Sequence, residues 1–77
     1  MDYKKIERTL KMVSSLKREA VSCLNSRDYE KAESIAKEIE DLGFLITAAD
    51  IYRKIGREEK ARDLYNTFIK IHGIGDY

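Results

Sequence analysis

The sequence has no proline, no tryptophan and no glutamine, and it contains a single cysteine, a single histidine and four glycines. Without proline, nothing in the chain removes a backbone donor or forces a helix to break. A lone Cys23 cannot form an intramolecular disulfide, which points to a reducing compartment and a cytoplasmic location. No apolar run approaches the roughly eighteen residues of a membrane span, so no membrane association is expected. Lys4, Lys5, Glu7 and Arg8 lead into no uninterrupted apolar stretch, so no signal peptide is read there. Neither sign of charge dominates: fifteen basic residues face fourteen acidic ones, a formal net charge of +1. That balance excludes a strong overall pull toward nucleic acid or anionic lipid. The missing glutamine and the scarcity of asparagine (Asn25 and Asn66), beside abundant Lys and Glu, lean toward a heat-adapted source.

The same scarcity limits catalysis. A Cys–His pair needs both side chains within hydrogen-bond reach, yet Cys23 falls on an apolar helix face and His72 next to the C-terminal tail. Cys23 reads as a small core residue and His72 as a favourable charge near a helix C-terminus. No Cys or His pair has the spacing of metal ligands. Gly73-Ile74-Gly75 lacks the third glycine and the following helix of a phosphate loop. The acidic clusters Glu58-Glu59, Asp63 and Glu40-Asp41 read as solvated helix surface. We therefore expect no catalytic residue, no cofactor, no metal and no enzymatic activity.

What remains is charge and helical pattern. The chain is 77 residues long, 38% charged and 43% hydrophobic, the composition of one small globular domain. A domain of this size buries only roughly 60% of its unfolded surface, leaving a thin stability margin. The apolar residues follow a helical period throughout, with no strand alternation. Between Tyr3 and Asn25, Ile6, Leu10, Val13, Leu16, Ala20, Cys23 and Leu24 recur at three- and four-residue steps and predict one long helix. Lys17 interrupts that stripe, and Ser14-Ser15 marks a candidate bend or break. Ser26 or Asp28 is placed to cap a second helix that runs to about Leu42, with Tyr29, Ala32, Ile35, Ala36, Ile39 and Leu42 inside. Gly43 and Gly56 end the second and third helices. The third spans Phe44 to Ile55, with Leu45, Ala48, Ala49, Tyr52 and Ile55 inward. The fourth runs from Arg57 to about Ile71 and buries Ala61, Leu64, Tyr65 and Phe68; residues 73–77 are expected to fray.

An internal repeat organises these helices. Glu30-Lys31-Ala32 returns as Glu59-Lys60-Ala61, a shift of 29 residues, and the same shift maps Leu16 to Leu45, Ala20 to Ala49, Ile35 to Leu64, Ile39 to Phe68 and Leu42 to Ile71. Small side chains at matching places let paired helices approach closely, while large ones fill the space beside them. The expected fold is all-α: a four-helix antiparallel bundle of two stacked hairpins over residues 1–72, the first helix long.

These residues resemble the tetratricopeptide repeats. In the second unit Leu45, Ala49, Tyr52, Gly56, Ala61, Tyr65 and Phe68 occupy the family's large, small, aromatic, turn-glycine, alanine and large positions. The first unit matches through Leu16, Ala20, Asp28-Tyr29-Glu30-Lys31-Ala32, Ala36 and Ile39, and departs at Cys23 and at Arg27, which stands where the turn glycine would be. The period of 29 is shorter than the family's usual 34 or so, and its helix-ending proline is absent. The resemblance implies a non-enzymatic protein–protein interaction module, an adaptor or assembly factor. Its peptide groove would be lined by Lys17, Val21, Leu24 and Asn25 from the first unit and Ile46, Asp50, Arg53 and Lys54 from the second. Lys17, Arg53 and Lys54 would grip an acidic segment over an apolar floor of Val21, Leu24 and Ile46. Val21 and Asp50 replace the paired asparagines of the family's carboxylate-binding members.

The charge is unevenly placed. Residues 1–20 carry net +3, residues 28–41 net −4 and residues 53–62 net +3. Oppositely charged faces can pair within the molecule or steer partners. Lys4, Arg8, Lys11 and Arg18 form a one-sided basic stripe, the basis of an alternative reading as a small nucleic-acid-associated regulatory protein. With no recognised nucleic-acid module in the chain, that reading is the weaker one. Two hairpins are fewer than the three or so repeats that stabilise a solenoid. Ile6, Leu10 and Met12 are expected to cap one open end. Tyr65, Phe68, Ile69 and Ile71 are left as an edge for self-association, as a homodimer, or for docking on a larger partner.

Overall fold

The computed structural model describes residues 3–73, and they are all-α: four helices and, among the described residues, no strand. Helix α1 spans Tyr3–Asn25, α2 Tyr29–Asp41, α3 Leu45–Lys54 and α4 Glu58–His72. The break considered at Ser14-Ser15 does not occur, and α1 continues through it. Most of the expected tail, residues 74–77, lies outside the described residues.

The three connections are built alike. After α1, the N–H of Arg27 donates to the carbonyl of Leu24 and that of Asp28 to Cys23. After α2, Gly43 donates to Glu40 and Phe44 to Ile39; after α3, Gly56 donates to Arg53 and Arg57 to Tyr52. Each pair satisfies two helix-end carbonyls in a Schellman turn, whose penultimate residue must adopt a left-handed backbone. Gly43 (φ 94°) and Gly56 (φ 88°) do so without a Cβ, whereas Arg27 (φ 61°) does so with one. The last residue of each turn is also the N-cap of the next helix. Asp28 strengthens its cap by accepting from the N–H of Lys31 at 3.3 Å, so of the two expected candidates Asp28 caps α2.

Packing runs along the chain. Helix α1 touches α2 and α3, α2 touches α3, and α3 touches α4, while α1 and α4 share no contact. The bundle is thus open, with extents of 39 × 33 × 15 Å. Its core is Val13, Ala20, Cys23, Ala32, Ile35, Ala36, Ile39, Ala48, Ala49, Ile51, Tyr52, Ala61 and Leu64. Six of these thirteen are alanine, so close helix approach does the packing, and among the described residues Ile39 is the only large side chain that is fully buried.

Several inward assignments are corrected. Ile6 and Leu10, expected on the inner face, are 46% and 51% exposed, and Met12 is 53% exposed. The first half of α1 therefore covers nothing within its own chain. The core begins only at Val13 because α2 is thirteen residues long and α1 twenty-three. At about 1.5 Å per residue, α2 is too short to reach the start of α1. Tyr29 and Leu42, at the two ends of α2, are exposed as well. Conversely Ile51, not assigned to the core, is buried, since α3 has neighbours in α1, α2 and α4.

Candidate functional site

Two helices that touch, α1 and α3, carry the candidate groove. Lys17, Val21 and Asn25 are exposed on α1, with Leu24 half-buried beside them. On α3, Ile46 and Asp50 are half-buried, and Arg53 and Lys54 are exposed at its last turn. Leu24 packs against the core from its rim. Asp50 is already committed: the Tyr65 hydroxyl donates to its carboxylate at 2.6 Å, and the Arg53 guanidinium lies 3.8 Å away. That hydrogen bond is the main reason the Tyr65 phenol holds its proton above the usual tyrosine value, with burial adding to it. The anion-binding capacity of this surface therefore rests on Lys17 and Lys54, with Arg53 shared.

A second, polar cleft of about 410 Å³ opens where α2 and α4 approach over α3, lined by Glu33, Lys37, Glu40, Asp41, Tyr52, Arg57 and Lys60. Arg57 donates to Glu33 at 3.2 Å and Lys60 to Glu40 at 3.3 Å, so the two helices meet through ion pairs. Tyr52 forms the floor. Its hydroxyl donates to Glu40 at 3.2 Å, and the Lys60 ammonium stands 5.7 Å above its ring. Burial, and then the Glu40 charge and hydrogen bond, push the Tyr52 phenol up to about 12. Tyr52 thus stays a protonated donor at neutral pH rather than a base. Three carboxylates and three cations leave the cleft with no net charge. Of the two uses open to an acidic second helix and a basic 53–62 segment, these contacts are the intramolecular one.

The remaining candidates are scattered. Lys4, Arg8, Lys11 and Arg18 are exposed along one face of α1. Lys31 of α2 pairs with Glu19 at 3.5 Å on the same helix that carries the stripe. At the C-terminal edge Tyr65 is tied to Asp50, and Phe68 is half-buried against the ring of His72, 4.2 Å between centroids. Ile69 and Ile71 are exposed but point to opposite flanks of α4, about 160° apart at 100° per residue. They do not make one patch. Cys23 is buried on α1, which has no contact with α4, so it forms no pair with His72. Among the described residues no three His, Cys, Asp or Glu side chains are placed to hold a metal ion, and no helix is long and apolar enough to cross a membrane.

Set against known proteins, the chain matches no family model, no curated protein and no solved structure. The tetratricopeptide resemblance rests on its own residues alone.

Proposed function

We propose that this chain is a non-enzymatic protein–protein interaction module, an adaptor or assembly factor, that holds an acidic peptide or partner helix against α1 and α3. The observation that supports this reading is the contact of α1 with α3 in an array where α1 and α4 stay apart. Such contacts suit a tetratricopeptide-like pair of hairpins, in which the first helices would share one face. On that face Lys17, Arg53 and Lys54 are exposed around the half-buried Leu24 and Ile46. Apolar floor and cationic rim together suit an amphipathic acidic segment. No catalytic role is assigned to any residue.

The test is a pull-down from lysate with the wild-type chain and a Lys17→Glu/Arg53→Glu/Lys54→Glu variant, followed by mapping of the captured segment. A partner bound through a short acidic segment and lost in the variant is expected. A partner kept by the variant would move the site away from the groove.

The alternative, nucleic-acid association, is favoured by one observation: Lys4, Arg8 and Lys11 have no ion-pair partner among the described residues. Oligonucleotide binding that falls steeply with added salt would support it, and no binding at low salt would end it.

A further inference from the structure

One oxygen of Asp50, on the proposed groove face of α3, has two claimants. The Tyr65 hydroxyl of α4 donates to Oδ1 at 2.6 Å, the short contact of a charge-assisted hydrogen bond. A guanidinium nitrogen of Arg53 stands 3.8 Å from the same Oδ1, too far for a hydrogen bond. Residues three apart on a helix are neighbours, so an Asp–Arg pair at this spacing can close into a direct ion pair. Here it has not closed. Arg53 stays exposed and lines a pocket of about 210 Å³ with Glu58, Ala61, Arg62 and Tyr65. Among the described residues neither Glu58 nor Arg62 forms an ion pair, so no other carboxylate holds Arg53. Arg53 is shared without being captured.

The hydroxyl reaches Asp50 from a fixed base. The Tyr65 side chain packs against the core, one turn along α4 from the buried Ala61. Its phenol is raised above the ordinary tyrosine value chiefly by the bond to Asp50, so it remains a donor at neutral pH. A carboxylate grips a guanidinium best when both oxygens face the fork. A hydroxyl that pins Oδ1 sets the orientation of the whole carboxylate and removes that arrangement.

We infer that Tyr65 is a positioning residue for the groove: by holding Asp50, its hydroxyl keeps Arg53 out of an internal ion pair and available to a carboxylate of the partner. The inference rests on the acidic-segment reading of the groove. Asp50 is then an internal competitor rather than a contact for the partner. Helix α4, which supplies no residue to the expected groove, becomes part of its chemistry. Without the hydroxyl, Asp50 turns to Arg53 and cancels one of the three cations that face the partner. Lys17 and Lys54 have no such competitor, since neither forms an ion pair among the described residues.

The test uses the full chain, with circular dichroism confirming that each variant folds. Arginine modification by phenylglyoxal, read residue by residue by mass spectrometry, reports whether a guanidinium is free. Arg53 of Tyr65→Phe should react roughly two- to fivefold more slowly than in wild type, the range of an exposed ion pair. Arg8, exposed on α1, should not change. Tyr65→Phe/Asp50→Asn should restore the Arg53 rate, because no carboxylate remains to capture it. A tyrosine with a merely structural role would not be rescued in this way. An oligoglutamate peptide then probes the groove. It should bind Tyr65→Phe roughly two- to fivefold more weakly than wild type, and the double variant at least as well as wild type. An Arg53 rate unchanged in Tyr65→Phe would overturn the inference, and so would a lowered rate that Asp50→Asn fails to restore. If those rates behave as expected while oligoglutamate binds wild type and Lys17→Glu/Arg53→Glu/Lys54→Glu alike, the inference stands for Arg53. The groove reading alone then fails.

Discussion

Tyr52 combines several roles in one side chain: it is part of the core, floors the polar cleft, donates to Glu40 and lies beneath Lys60. Its phenol is raised from 10.0 to about 12, first by burial and then by the Glu40 charge and hydrogen bond. The folded state therefore holds this proton more tightly than the unfolded chain does. The resulting stability is fully present below pH 10, and it is lost as the pH rises through about 12. Across that window the wild-type denaturation midpoint should fall more steeply than that of Tyr52→Phe. Tyrosinate absorbance should also show that Glu40→Gln brings the Tyr52 titration down toward, though not to, the ordinary value, because burial remains. A titration unmoved by Glu40→Gln would mean that the carboxylate does not hold the phenol. At the same scale, Asp50 shows how a candidate site residue can be spent internally, since Tyr65 and Arg53 already occupy its carboxylate.

Among the elements, the three Schellman turns offer an internal comparison. A residue with a Cβ is strained in the left-handed region, by about 1–2 kcal/mol. No atom comes within 4 Å of a Cβ built on Gly43 or Gly56, so any cost of substitution there is conformational. Gly43→Ala and Gly56→Ala should each destabilise the fold by about 1 kcal/mol. Arg27→Gly should stabilise it by about 0.5–1 kcal/mol, after allowing for the looser unfolded chain. Urea unfolding midpoints check the signs, and a destabilising Arg27→Gly would mean that the arginine side chain contributes more than its backbone strain costs. The position of this turn was legible from the repeat, where Arg27 stands in for glycine. Helix boundaries were legible too, because glycine and Asp28 act within a few residues of where they stand. Burial was less so. Periodicity marks Ile6 and Leu10 as one face of a helix, but it cannot say whether the next helix is long enough to cover that face. Ile51 escaped notice for the converse reason: it lies outside the stripe read for α3, and three neighbouring helices bury it regardless. The polar cleft was visible only as opposite net charges on segments 28–41 and 53–62. Which carboxylate meets which cation depends on how α2 and α4 lie over α3, and no local pattern encodes that.

For the whole molecule, the open order of contacts governs how stability is distributed. Each helix of a nearest-neighbour array is held only by those it touches, and local opening follows the number of covered faces. Helix α3 packs on three neighbours and α2 on two, while α4 packs only on α3 and reaches α2 through exposed ion pairs alone. The stretch of α1 before Val13 contributes no core residue at all. Hydrogen exchange of a dilute sample should accordingly find the slowest amides in α2 and α3 and faster ones in α4. The fastest helical amides should lie before Val13. That gradient would be altered by anything that covers α1. Binding stabilises whatever it covers by mass action, so any partner lying on that half would protect those same amides and leave α4 unchanged. Protection appearing instead at Ile69 and Ile71 would place the contact at the C-terminal edge. Uniformly fast exchange along the first half of α1 at every concentration would leave that half uncovered in the pure protein.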